Sequence, residues 1–136
     1  MNFEEYVAIG VGSILLLMIC LLLLKKAPRR LKNDYFVNKW KALQQKCADK
    51  TLWPEAISDA DDLLNEALKR KRFKGKSMGE RLVSAQKIFT NNDAVWYGHK
   101  LRMKLDTTPD LSLTQDDVQR ALVGLRQGLK DIGALK

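Results

Sequence analysis

The side chains best suited to chemistry in this chain are His99, its only histidine, and Arg102. Three residues apart on a helix, they share a face, which sets a group able to move protons near neutrality beside one that binds anions. His99 also stands at helical spacing from Val95 and Trp96, and a packed, hydrogen-bonded histidine at the edge of a core accounts for it without chemistry. Neither a second histidine nor a close pair of cysteines accompanies it, so the ligand set for zinc is missing. Asp59, Asp61 and Asp62 offer carboxylates. Calcium loops, however, draw alternating oxygens from a glycine-containing loop closed by a late glutamate. On a helix, spacings of two and three do not converge on one ion. A solvated acidic face is the expectation, with an interhelix ion pair from Asp61 to Lys69 or Arg102 as the alternative. The catalytic candidates reduce to His99 and Arg102, which complete no constellation, and neither a metal nor a cofactor is implied.

Lys69, Arg70, Lys71, Arg72, Lys74 and Lys76 place six positive charges within eight residues. Phosphate backbones are attracted to such patches without any base-reading motif. Residues 51–136 nevertheless hold fifteen Lys or Arg against twelve Asp or Glu, a surplus of only three. An anionic membrane, an acidic protein partner or solvent therefore explains the patch as well as nucleic acid does. Gly75–Gly79 is not a phosphate loop, since it follows no strand and lacks the Gly-Lys-Ser/Thr ending. With the cationic run, Trp96 and Tyr97 complete the candidate binding set.

What positions these residues begins with the nineteen residues Tyr6–Leu24, which carry no charge. As a helix they extend roughly 29 Å, enough for the apolar core of a bilayer. A cleaved secretory signal has positive charge before its apolar stretch and a small-residue cleavage site after it. Here Glu4 and Glu5 precede and Lys25, Lys26, Arg29 and Arg30 follow, the reverse polarity. From Lys25 to Lys50 nine basic residues face two Asp. Basic flanks stay on the cytoplasmic side, so a single-pass protein of the cell membrane is expected, with its short N-terminus (residues 1–5) outside. A transmembrane helix covers residues 6–24, a basic juxtamembrane linker 25–33, and a cytoplasmic helical domain 34–136. Lys25, Lys26, Arg29 and Arg30 are the membrane-interface residues, and stop-transfer charge accounts for them. Pro28 ends or kinks the first helix. Cys20 and Cys47, separated by compartment, form no disulfide, as a reducing cytosol would have it.

Beyond the linker the apolar period is helical throughout. Phe36, Trp40, Leu43 and Cys47 share one face. Pro54 suits a first helical turn, followed by a buried stripe of Ala56, Ala60, Leu63, Leu64, Ala67 and Leu68 with Asp59, Asp61, Asp62 and Glu66 off it. After a turn at Lys74–Gly75–Lys76, Ser77 and Glu80 signal a capping box, and Leu82, Val83, Ala85, Ile88 and Phe89 form the next apolar set. Asn91–Asn92–Asp93 opens a helix carrying Val95, Trp96, His99 and Met103. Thr114 with Asp117 caps the last, whose Val118, Ala121, Leu122, Leu125, Leu129 and Ile132 precede Gly133. Gly124 and Gly128 interrupt that helix at a spacing that suits close helix approach. The architecture expected is all-α, a transmembrane helix followed by a four- or five-helix bundle in which each stripe is covered by another.

Trp53–Leu64, Gly75–Leu82 and Asp93–Lys104 together resemble a family of small membrane-anchored, all-helical bacterial proteins of the candidate-phylum type. The last of these stretches is also similar to HEPN-type helical domains. The resemblance implies, in active members, a metal-independent ribonuclease working as a dimer, with an Arg and a His brought together across two subunits. Here Val95–Arg102 keeps the approach to that motif. Met103 then stands where a polar residue is usual, Thr107 where the His belongs and Thr108 at the acidic position. A hydroxyl cannot replace imidazole as an acid or base at neutral pH, so the resemblance implies a degenerate, binding-type domain. The resulting expectation is a membrane-tethered interaction or scaffold module at the cytoplasmic face, without catalysis. Its partners would be the lipid bilayer and a protein or second copy. A HEPN-like ribonuclease or noncatalytic nucleic-acid binder is the alternative.

Overall fold

The structure, a computed structural model, describes residues 2–26 and 30–136. Among these residues there are six α-helices and no strand: α1 Phe3–Lys26, α2 Asn33–Lys46, α3 Trp53–Arg70, α4 Met78–Ala85, α5 Asn92–Thr107 and α6 Gln115–Asp131. A short 3₁₀ turn, Lys50–Leu52, joins α2 to α3. The expectations for Pro28, for Arg29 and for the side chains of Lys25 and Lys26 lie outside the described residues.

α1 stands apart in chemistry. Its Phe3–Leu23 stretch has a mean hydropathy of 2.7, and none of it is buried within the protein. Ser13, its one hydroxyl short of the tyrosine, donates back to the Ile9 carbonyl at 3.0 Å, which satisfies the group without water.

The other five helices enclose the core. α3 packs against α2, α4, α5 and α6, so its buried stripe is the axis of the bundle. One cluster joins Phe36, Trp40 and Leu43 of α2 to Leu64 and Leu68 of α3, Leu82 of α4 and Leu125 and Leu129 of α6. A smaller one joins Ile57 of α3 to Leu101 and Leu105 of α5 and Val118 and Ala121 of α6. Neither contains a residue before Leu31.

Close packing of α5 on α6 depends on glycine, as the Gly124–Gly128 spacing predicted. A Cβ at Gly124 would lie 2.2 Å from the Ala94 carbonyl oxygen, and one at Gly128 would lie 3.1 Å from Val95 Cγ2. Gly98 makes the reciprocal approach from α5, where a Cβ would meet Leu125 Cγ at 2.6 Å.

Two helices end in the same hydrogen-bonded turn with different residues at its left-handed position. After α6, Ala134 N–H donates to the Leu129 carbonyl and Gly133 N–H to that of Lys130, with Gly133 at φ +85°. After α3, Phe73 donates to Leu68 and Arg72 to Lys69, but Arg72, at φ +63°, occupies the place glycine favours.

Several expectations change. Val83 and Ile88 are exposed, not part of the core: Val83 lies off the α4 face that buries Met78, Leu82 and Ala85, and Ile88 falls in the turns after Ala85, before Phe89 is buried. Met103 is exposed too, and α5 instead buries Leu101 and Leu105. Cys47 caps α2 half-buried, its thiol donating to the Leu43 carbonyl. Burial raises that thiol's pKa. The box at Ser77 is half formed: its hydroxyl accepts from Glu80 N–H, whereas the Glu80 carboxylate accepts from Lys76 N–H. At Thr114 both halves are present.

Candidate functional site

α3 contributes Asp61 and Asp62, and α5, packed beside it, contributes His99 and Arg102 three residues apart. Asp61 was expected off the buried stripe, yet it is 1% exposed. A buried carboxylate is costly unless paired, and here two partners reach it from α5. His99 Nδ1 lies 3.1 Å from both Asp61 oxygens, and Arg102 Nη1 donates to Asp61 Oδ2 at 3.1 Å. The interhelix pairing of Asp61 with Arg102, one of two alternatives read from the sequence, is therefore formed, while Lys69 is exposed.

Arg102 is held on three sides. It also donates to Asp62 Oδ1 at 2.7 Å, and its Nε lies 2.9 Å from Asp106 Oδ2, close enough for ion pairing but off the line of the N–H. Burial alone would lower the guanidinium pKa, but the hydrogen bond and charge of Asp62, with Asp61 and Asp106, raise it overall. The group stays charged and its valence is taken up by carboxylates. One cation among three anions makes the immediate surroundings negative, which opposes rather than attracts a phosphodiester.

His99 is buried, as its spacing suggested, and its ring meets Trp96 edge-on at 5.8 Å. In the neutral ring, the carboxylate on Nδ1 assigns the proton to that nitrogen and the lone pair to Nε2. No described group hydrogen-bonds Nε2. The arrangement can orient a base, but its evident work is to tie α3 to α5. Thr107, at the position where the resemblance calls for His, donates its hydroxyl to the Lys104 carbonyl at 3.1 Å.

Not every cation of the run is free. Lys69, Arg72, Lys74 and Lys76 are exposed and Lys71 is half-buried. Arg70 turns inward, 4.5 Å over the Tyr35 ring, and bonds Glu66 at 2.7 Å. Glu66 also accepts from the Tyr35 hydroxyl, and that hydrogen bond raises the phenol's pKa. Trp96 lies beside Gly79 of α4, where a Cβ would come within 3.7 Å of its ring, and the cation over that ring is Lys100, at 5.9 Å. Tyr97 belongs instead to the smaller cluster, under the Arg120 guanidinium at 4.0 Å, with its hydroxyl 3.4 Å from Asp117. Arg30, expected from the sequence to be a membrane-interface residue, is exposed.

Two grooves flank α2 that sequence reading did not find. One, of about 360 Å³, lies between α2 and α3 and is lined by Lys39, Lys46, Asp59, Asp62 and Glu66. Lys46 bridges Glu55 and Asp59 there, and its hydrogen bonds to Asp59 and Glu55 raise its pKa. The other, of about 410 Å³, gathers Trp40 and Lys41 of α2, Arg126 of α6 and Lys136 of the C-terminal segment. Lys136 joins the helical residues only through the turn at Gly133, and no local pattern announces it. No protein-family model, curated protein or solved structure matches the chain, so its functional reading rests on the geometry of its own residues.

Proposed function

We propose that the protein is a helical interaction module tethered by α1 to the cytoplasmic face of the membrane. The observation that carries this reading is the unburied apolar helix beside a bundle whose core is complete without it. Fourteen large apolar side chains of α1 stand exposed, and burial is worth about 1.5–3 kcal/mol for each. α1 is apolar on every side, so a single protein face would leave most of it uncovered, whereas hydrocarbon covers it all. Acidic residues before the helix and basic ones after it favour a cytoplasmic bundle.

Tethering confines the bundle to a thin layer and raises its effective concentration toward partners there. The exposed Lys69, Arg72, Lys74 and Lys76 suit an acidic partner surface. The geometry favours this over the ribonuclease reading, because the guanidinium that would hold a phosphate is already held by three carboxylates. Crosslinking in native membranes tests the proposal. Wild type should yield a discrete crosslinked species that Lys69→Glu, Lys74→Glu and Lys76→Glu together abolish, with membrane association unchanged. Identical crosslinking in the two proteins, or none in either, would overturn it. If the cations instead serve nucleic acid, the same triple variant should lose RNA binding that is steeply salt-dependent.

A further inference from the structure

We infer that the groove between α2 and the C-terminal segment is a binding site for the phosphate of an anionic lipid headgroup. The inference rests on the membrane reading above and adds to it a ligand and a place. Three cationic side chains, Lys41, Arg126 and Lys136, line the groove against one carboxylate side chain, Asp34. The neighbouring groove between α2 and α3 has the opposite balance, with Lys39 and Lys46 against Asp59, Asp62 and Glu66. Only the first is suited to an anion.

A second, independent observation points to a ligand there. Trp40 lines the groove and is 5% exposed, and its indole N–H is buried with no acceptor in the protein. Buried donors are nearly always satisfied, and the same groove holds the cations that would bring an acceptor oxygen in. A phosphate oxygen takes charge from Lys41 and Arg126, and it reaches the indole N–H, which has no accessible surface of its own, once the side chains lining the groove give way. Val37, Trp40 and Leu135 supply an apolar side, which suits the glycerol end of a lipid better than a fully hydrated ion.

Chain reach supplies the source. Lys26, the last residue of α1, and Asn33, the first of α2, are seven residues apart, so the link spans at most roughly 25 Å. The groove starts at Asn33 and Asp34, so the link lets it reach the headgroup layer if α1 crosses the bilayer. Arg30 and Lys32, both exposed, lie on the way and add to the attraction of an anionic leaflet.

The test uses the full chain in nanodiscs of phosphatidylcholine with a minority of phosphatidylglycerol, and native mass spectrometry to count the lipids retained on release. Wild type should retain phosphatidylglycerol selectively. Lys41→Gln with Arg126→Gln should reduce that retention about tenfold, and Trp40→Phe, which keeps the ring and removes the donor, should reduce it several-fold. Lys87→Gln with Lys104→Gln makes the same charge change elsewhere and should leave retention unchanged. Circular dichroism confirms that each variant is folded. Equal retention by all four proteins overturns the inference, and displacement of the lipid by inorganic phosphate reassigns the site to free phosphate and overturns the lipid source. A chain that never enters the bilayer overturns the membrane proposal and this site together, whereas one that inserts without lipid preference overturns this site alone.

Discussion

Asp61 and His99 lie thirty-eight positions apart in sequence and 3.1 Å apart in space, with the Asp61 side chain 2% exposed and that of His99 9% exposed. Removing Asp61 should therefore leave an uncompensated group in the α3–α5 interface. Breaking a buried pair in this way costs about 3–5 kcal/mol. Asp61→Ala is expected to lose that much in denaturant unfolding of the detergent-solubilised protein. His99→Ala should lose less, because Arg102 still pairs with Asp61. In a double-mutant cycle the two should couple by about 1–3 kcal/mol. Additive losses would show that the contact contributes nothing of its own.

Gly124 is the tightest point between α5 and α6. Gly124→Ala must force the helices apart at the Ala94 carbonyl, an overpacking that costs about 1–3 kcal/mol or more. Gly12→Ala, where a Cβ would meet nothing within 4 Å, is the matched control and should leave the melting temperature of the bundle unchanged. Thermal unfolding separates the two, since each 1 kcal/mol moves a domain of this size by roughly 4–8 °C.

Arg72 predicts a gain. Its left-handed backbone costs a residue with a Cβ about 1–2 kcal/mol, part of which glycine's greater chain entropy offsets. Arg72→Gly should stabilise the bundle by about 0.5–1 kcal/mol, read as a higher melting temperature. If Arg72 also contacts the partner, the same variant should bind it more weakly. A lower melting temperature would show that the side chain contributes more than its backbone strain removes.

Asp117 supplies a pH dependence. The Thr114 backbone N–H, with the Thr114 hydroxyl, holds its carboxyl below the usual aspartate range. A depressed folded pKa contributes stability that is present above the unfolded value near 3.9 and lost as the pH falls through the folded one. Wild-type stability should thus fall below about pH 4 more steeply than that of Asp117→Asn. Parallel curves would contradict the assignment. Thr114→Ala, which removes the cap itself, should cost about 1 kcal/mol at neutral pH.

Most helices were legible because amphipathic period and end signals coincide, as at Pro54 and at Thr114 with Asp117. The reading failed where an element stops early. Ile88 fits a helix that runs to Phe89, but the chain turns after Ala85 and exposes it, while Val83 lies beside the buried face of α4 and not on it. Among the site residues, His99 and Arg102 were found from their shared face. The burial of Asp61 was missed, since a carboxylate is ordinarily read as solvated and only the arrival of α5 reverses that. Trp40, Lys41, Arg126 and Lys136 were beyond reach for a similar reason. Their meeting is set by how α2 and α6 share one core and how the chain returns after Gly133, not by any local spacing.

The membrane crossing of α1 is the claim on which the rest depends, and topology labelling tests it most directly. Single cysteines at Asn2 and at Lys104, placed in a chain with Cys20 and Cys47 replaced by Ser, are treated with a membrane-impermeant maleimide before and after cell lysis. The account predicts that Asn2→Cys is labelled in intact cells, that Lys104→Cys is labelled only after lysis, and that the protein stays with the membrane pellet at alkaline pH. Recovery of the unlabelled, intact chain in the aqueous fraction without detergent would contradict it.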